Sequence, residues 1–139
     1  MPFKPITEKF AVSSQIGAAE VAAAAQAGFT TIINNRPDGE APGQPNAAEI
    51  EALAKQHGLN FVNIPVTATS MTAEAVQRTA EALQAAPGPV LAYCRSGMRS
   101  TSMWALSQAG TMPASEILQY AVQAGYDLSG LEPYLHAKI

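Results

Sequence analysis

The sequence predicts an α/β protein with three layers, α/β/α, built around a mostly parallel sheet of four to five strands. Three observations predict it. Short β-branched or apolar runs alternate with helical stretches along the chain, and repeated strand, crossover helix and strand make a parallel sheet covered on both faces. The helical stretches are rich in alanine, small enough to pack closely against such a sheet. Three of the four arginines, together with the one cysteine, follow predicted strands, on the side where an open parallel sheet binds ligands.

After a polar start, Phe10-Ala11-Val12 is a short extended segment. Gly17 to Ala27 is nearly all alanine, valine and small polar residues, and Gly28 ends it as a helix. Phe29 to Asn35 is β-branched and apolar, a buried strand feeding the turn-forming Arg36-Pro37-Asp38-Gly39. Asn46 with Glu49 resembles a capping box, after which Ile50, Leu53, Ala54 and His57 share one helix face up to Gly58. Phe61 to Val66 reads as the next strand, with Pro65 removing a ladder donor near its end and Thr67 to Ser70 as its exit. Ser70 or Thr72 caps a helix in which Val76, Ala80 and Leu83 recur at helical spacing, ended by Pro87-Gly88-Pro89.

Val90 to Tyr93 is the last predicted strand, and a helix from Arg99 to Ala109 follows, closed by Gly110. Thr111-Met112-Pro113 opens another helix, with Ile117, Leu118, Ala121 and Val122 on its apolar side and Gly125 at its end; a short turn or helix holds Leu131 to Ala137.

With 139 residues, 47% of them apolar and 14% charged, the chain reads as a single domain over residues 1–139 that can bury a core. Its formal charge of -3, from 8 basic and 11 acidic side chains, offers no positive field to nucleic acid or anionic membrane. No apolar run reaches the roughly 20 residues of a membrane span, and the start lacks the long apolar segment of a signal peptide, so no membrane association and a cytoplasmic location are expected. A single cysteine cannot form an internal disulfide. Two histidines, His57 on a helix face and His136 beside Lys138, read as structural and surface residues, which weakens a zinc site or a histidine-based triad. No dinucleotide fingerprint or metal-ligand cluster is present, so no cofactor and no metal is expected. Oligomeric state has no signal in the sequence.

Chemistry concentrates in Cys94-Arg95-Ser96-Gly97-Met98-Arg99-Ser100. A strand runs into Cys94 and a helix begins as the loop ends, so inward amides and the helix dipole form a concavity for an anion. The same donors favour a thiolate, the nucleophilic form of cysteine. Gly97 permits close approach or positive φ. Arg99 can clamp two oxyanion atoms with its fork, and the Ser100 hydroxyl can bond the thiolate or stabilise it as it leaves. Arg95 points outward and raises the potential at the mouth, while Ser96, Gly97 and Met98 supply the cradle. The competing reading makes Cys94 a buried small hydrophobe. Two arginines at a helix start oppose the dipole, however, unless an anion is expected there. Arg36 falls at the rim or braces a loop, Gln15 can line the mouth, and Arg78 lies on a helix surface. Asp38 or Glu40 can swing in as an acid from the neighbouring loop, with Asp38 set against a turn or helix-capping role. Tyr93 and Trp104 read as core or rim aromatics, and Tyr126-Asp127 as an ordered turn in which the tyrosine hydroxyl satisfies backbone groups.

These segments carry a resemblance. Phe10 to Gln15, Thr31 to Glu40, Cys94 to Ser100 and Ala124 to Asp127 resemble the family of phosphatase-like domains of beta-lactamase hydrolase-like proteins. The resemblance covers nearly the whole chain and implies the fold of protein tyrosine and dual-specificity phosphatases, with cysteine chemistry on it. It also implies a link to metallo-beta-lactamase-like domains similar to persulfide dioxygenases, some members being described as sulfur transferases.

The chain departs from the phosphatase pattern in two ways. Tyr93 stands where those phosphatases have histidine, and four residues, not five, separate Cys94 from Arg99; rhodanese-type sulfurtransferases resemble this shorter loop. Thr67-Ala68-Thr69-Ser70-Met71, where dual-specificity phosphatases carry an acidic aspartate, has no carboxylate. The main expectation is therefore sulfur transfer, from thiosulfate or a persulfide through a Cys94 persulfide to a thiol acceptor, small or on a partner protein. Hydrolysis of a phosphomonoester through a cysteinyl-phosphate is the alternative, and a non-catalytic oxyanion-binding module a third.

Overall fold

Side-chain alternation along the strands sorts the core into two layers, one on each face of the sheet. The structure, a computed structural model, describes residues 3–136; Ala137 and Lys138, which figure in the expectations above, lie outside them. Five strands, β1 (Lys4–Thr7), β2 (Phe10–Ser13), β3 (Thr31–Asn34), β4 (Asn60–Asn63) and β5 (Val90–Tyr93), form one sheet in the order β1-β2-β5-β3-β4. All neighbours are parallel except the β1–β2 pair. Phe10, Val12, Ile33, Val90 and Ala92 face one layer, which holds α3 (Ala73–Ala85), α4 (Met98–Ser107) and α5 (Ala114–Gln123). Ala11, Ile32, Leu91 and Tyr93 face the other, against α1 (Ala18–Gln26) and α2 (Ala47–Gln56). The three-layer expectation is met. Ile32 and Ile33, adjacent in sequence, are both fully buried on opposite faces, and each contributes roughly 1.5–3 kcal/mol through the water it sheds.

Caps fix where the helices begin. Glu20 accepts from the Gly17 amide at 2.7 Å ahead of α1, Asn46 accepts from Glu49 at 2.9 Å ahead of α2, and Thr72 from Ala75 at 3.1 Å ahead of α3. Trp104 lies in the core, stacked on Phe10 with ring centroids 6.2 Å apart, and Tyr93 is buried on the opposite face.

Several boundaries differ from those predicted. The polar start contains β1, an antiparallel edge strand with a register shift between Pro5 and Thr7; lysine and proline belong on an edge and hide its strand character in the sequence. The β4 ladder stops at Asn63, not Val66, because Pro65 has no amide to give. The chain stays extended, with Ile64 and Val66 still donating to Asn34 and Asn35 carbonyls at 2.9 and 3.1 Å. The last helical piece is a 3-10 turn over Ser129–Tyr134. Among the described residues no helix is long and apolar enough to cross a membrane.

Candidate active site

Parallel register brings the strand exits to one edge: Ser13 pairs with Tyr93, Tyr93 with Asn34, and Asn34 with Asn63. Backbone bonds continue past the strands and bring the loops together. Cys94 N donates to Ser13 O at 3.2 Å, Asn35 N to Tyr93 O at 2.8 Å, and Val66 N to Asn35 O at 3.1 Å. Two buried asparagines complete this frame. Asn34 bonds Asn63 Oδ1 at 2.8 Å and brackets Arg36, donating to its carbonyl and accepting from its amide, while Asn35 donates to Ile64 O at 2.9 Å. Asn34 and Asn35 were not singled out from the sequence; two amides ending a buried β-branched run were the available signal.

Cys94 is buried at the loop floor, and the Gly97 amide donates to its sulfur at 3.1 Å. Gly97 takes φ +93° as the cap of α4, a conformation that other residues strongly resist. A Cβ there would also run into the Tyr126 hydroxyl. That hydroxyl donates to Ser96 O at 3.0 Å, while Thr101 donates through both N and Oγ1 to Gly97 O, at 2.9 and 2.8 Å. With these carbonyls held, the Gly97 amide is left facing the sulfur. Among the described residues the Arg95 and Ser96 amides have no hydrogen-bond partner, and they remain available to an anion. Burial and the nearby Cys94 charge raise the Tyr126 hydroxyl above its ordinary value, which keeps it a donor.

Arg95, Ser96 and Met98 are exposed in the loop and at the start of α4. Ser100 is buried with a hydroxyl that bonds nothing, including the Cys94 sulfur. The thiolate bond expected of Ser100 is therefore not formed.

Arg99 meets a partner 59 residues away. Its Nη1 and Nη2 donate to the two oxygens of Glu40 at 2.8 Å each, and Nη1 also donates to Val66 O at 2.9 Å. Three of its five N–H donors are thereby used. The other two, Nε–H and the second Nη2–H, lie parallel on one edge of the guanidinium and have no partner among the described residues, a fork of the kind that grips two oxygens of an oxyanion. The Cys94 charge is close enough to add to the upward shift that the Glu40 bonds impose on Arg99.

Arg36 is not a free anion ligand. It is buried, donating through Nε to Glu40 Oε1 at 2.9 Å and through Nη1 to Gln15 Oε1 at 3.1 Å. It braces Glu40, because a buried guanidinium needs partners more than a second anion site needs it. Asp38 is likewise occupied, accepting from Ala47 N at 2.8 Å in the first turn of α2. Its capping role displaces the acid role considered for it. Held by Arg99 foremost and by Arg36, the Glu40 carboxyl falls from 4.5 to about 2.

A family match covers residues 2–111 and is described as beta-lactamase hydrolase-like protein, phosphatase-like domain. The chain belongs to this family. A beta-lactamase hydrolase-like protein of Xylella fastidiosa is 36% identical to this phosphatase-like domain over 130 residues, covering 92% of the chain and 30% of the relative. The chain thus spans about a third of the length of the curated relatives it matches. A crystal structure of a candidate phosphatase from Neisseria meningitidis superposes with TM-score 0.85 and 36% identity, covering 97% of this chain and 96% of that one. TpbA of P. aeruginosa, solved with phosphotyrosine, shares the fold at TM-score 0.66 and 18% identity, covering 96% and 90%.

The family match and the Neisseria relative overturn the expectation of sulfur transfer, since both are described as phosphatases or phosphatase-like. Loop length misled because a four-residue spacing does not exclude the arginine. Arg99 occupies the second residue of α4, near enough to Cys94 to feel its charge. The phosphatase-like, cysteine-dependent enzyme is the expectation that stands.

In this phosphatase-like domain the Glu40 clamp should register in acid stability. A carboxylate whose folded pKa is depressed stabilises the fold above its unfolded value and loses that contribution as pH falls through the folded one. Glu40→Gln is expected to lower the urea midpoint near neutral pH, with the gap to wild type narrowing below pH 4.5 and closing near pH 2. Equal midpoints at neutral pH would mean that the clamp contributes nothing to stability.

Proposed function

We propose that the domain hydrolyses phosphate monoesters through a cysteinyl-phosphate on Cys94. The observation that carries this reading is the free edge of Arg99, a two-donor fork held beside the cysteine loop by Glu40 and the Val66 carbonyl. Family membership supports the same reaction class.

In this reading the Cys94 thiolate attacks phosphorus, the P–O bond to the ester oxygen breaks, and the electron pair leaves on that oxygen. The loop amides and the Arg99 fork hold the phosphoryl oxygens, where charge is spread in the transition state. Water then attacks the cysteinyl-phosphate, the P–S bond breaks, and phosphate and the thiolate are released. The water gives up one proton, which the departed alkoxide or phenoxide takes from solvent. Arg95 attracts the dianion from the mouth.

Rapid acid quench during turnover of nitrophenyl phosphate, followed by peptide mapping, tests the proposal. A phosphoryl group on the Cys94 peptide is the expected result. Turnover with a label on another residue, or anion binding without turnover, would overturn it.

A further inference from the structure

We infer that this site selects esters whose leaving oxygen departs without receiving a proton, which favours aryl phosphates and phosphoanhydrides over alkyl phosphates. The inference rests on the phosphatase reading and concerns the group on the far side of the scissile bond.

Among the described residues, Glu40 and Asp38, the carboxyls of the loop that meets Arg99, are committed elsewhere. Glu40 has both oxygens on guanidinium donors, Oε1 shared by Arg36 and Arg99 and Oε2 on Arg99. Ionised by two cations, it has no proton to give at neutral pH. Asp38 accepts from the α2 amide at Ala47 at 2.8 Å, which turns its carboxyl to the helix start. The loop after β4, which touches the site through the Val66 carbonyl on Arg99, offers hydroxyls only. Thr67 and Ser70 are engaged with each other, Oγ1 to Oγ at 2.7 Å, and the Thr67 amide donates to the same Ser70 oxygen at 2.9 Å.

The remaining titratable groups do not fill the gap. Tyr126 spends its proton on Ser96 O from outside the loop, with Lys4 over its ring at 5.1 Å. Tyr93 is buried on the opposite face of the sheet and holds its proton more firmly than usual because burial disfavours the phenolate. Arg36, Arg95 and Arg99 remain charged, as arginine does in proteins, and are poor proton donors.

The chemical consequence follows from the transition state. Phosphoryl transfer is loose, so the leaving oxygen has nearly lost its bond and carries most of a negative charge. An alkoxide tolerates that charge poorly, whereas a phenoxide or a phosphate tolerates it without help. A positioned acid is worth about 10²–10⁴-fold to an ester that needs it. Where the fold spends Glu40 on positioning Arg99 and Asp38 on capping α2, that factor becomes a specificity.

The test compares kcat/KM for nitrophenyl phosphate, phenyl phosphate and glycerol phosphate, with wild type, Asp38→Asn and Cys94→Ser. The expected result is a steep, Cys94-dependent decline along the series, glycerol phosphate lying about 10²–10⁴-fold below nitrophenyl phosphate, with the same decline in Asp38→Asn. A flat series in wild type overturns the inference and leaves the cysteinyl-phosphate reading in place. A flat series made steep by Asp38→Asn overturns it and identifies Asp38 as the acid. Turnover that survives Cys94→Ser, or no turnover of any ester, sinks the phosphatase reading itself and the inference with it.

Discussion

Cys94→Ser is expected to lower ester turnover by at least ~10³-fold while the protein keeps its fold, since a serine hydroxyl at neutral pH is a far weaker nucleophile than a thiolate. The replacement differs by one atom at a buried site at the end of β5, where the Cys94 amide is held by Ser13 O and the Gly97 amide faces the side chain. A serine oxygen accepts that amide too, so thermal unfolding should move little. Steady-state kinetics with nitrophenyl phosphate measure the loss, and circular dichroism checks the fold. Residual activity within tenfold of wild type would mean that the sulfur forms no bond to phosphorus.

Arg99→Lys is expected to cost about 10²–10³-fold in kcat/KM, the range for removing a preorganised donor from a site where charge develops. Lysine keeps the charge and loses the planar fork, so it cannot hold Glu40 with one edge while presenting a parallel pair of donors with the other. The Val66 carbonyl loses its donor at the same time. Inhibition by inorganic phosphate separates the two roles: a weaker grip on product marks the lost fork, whereas unchanged inhibition with low kcat points to a displaced loop. If Arg36→Lys proved more damaging than Arg99→Lys, the wrong guanidinium would have been assigned to the anion.

The cysteine loop was legible because its information is local. Cys94, Gly97 and Arg99 sit within six residues, between a strand and a helix that their neighbours predict, and Gly97 takes the positive φ that its position suggested. What the sequence concealed were partnerships across distance. Nothing in Arg36-Pro37-Asp38-Gly39-Glu40 indicates that Glu40 meets Arg99, or that Asp38 reaches Ala47. The edge strand β1 was hidden by the lysine and proline that protect it, and the chain past Asn63 was read as strand because extended backbone and ladder pairing look alike in one sequence. The reaction class was misjudged for a related reason. The four-residue spacing of Cys94 and Arg99 resembles the shorter rhodanese loop, yet where the guanidinium ends up depends on the carboxylate it meets.

Tyr126 lies fifteen residues beyond residue 111, the last that the family match covers, and yet its hydroxyl supports the Ser96 carbonyl and fills the space that a Cβ on Gly97 would take. The geometry of the cysteine loop therefore depends on a side chain outside the stretch that the family match covers. A chimera that borrowed only the matched stretch would import the nucleophile and leave behind the buttress that aims its amides. Positions 97 and 126 thus share one space: a side chain on residue 97 must displace the Tyr126 hydroxyl, and loss of that hydroxyl leaves the Ser96 carbonyl without its donor.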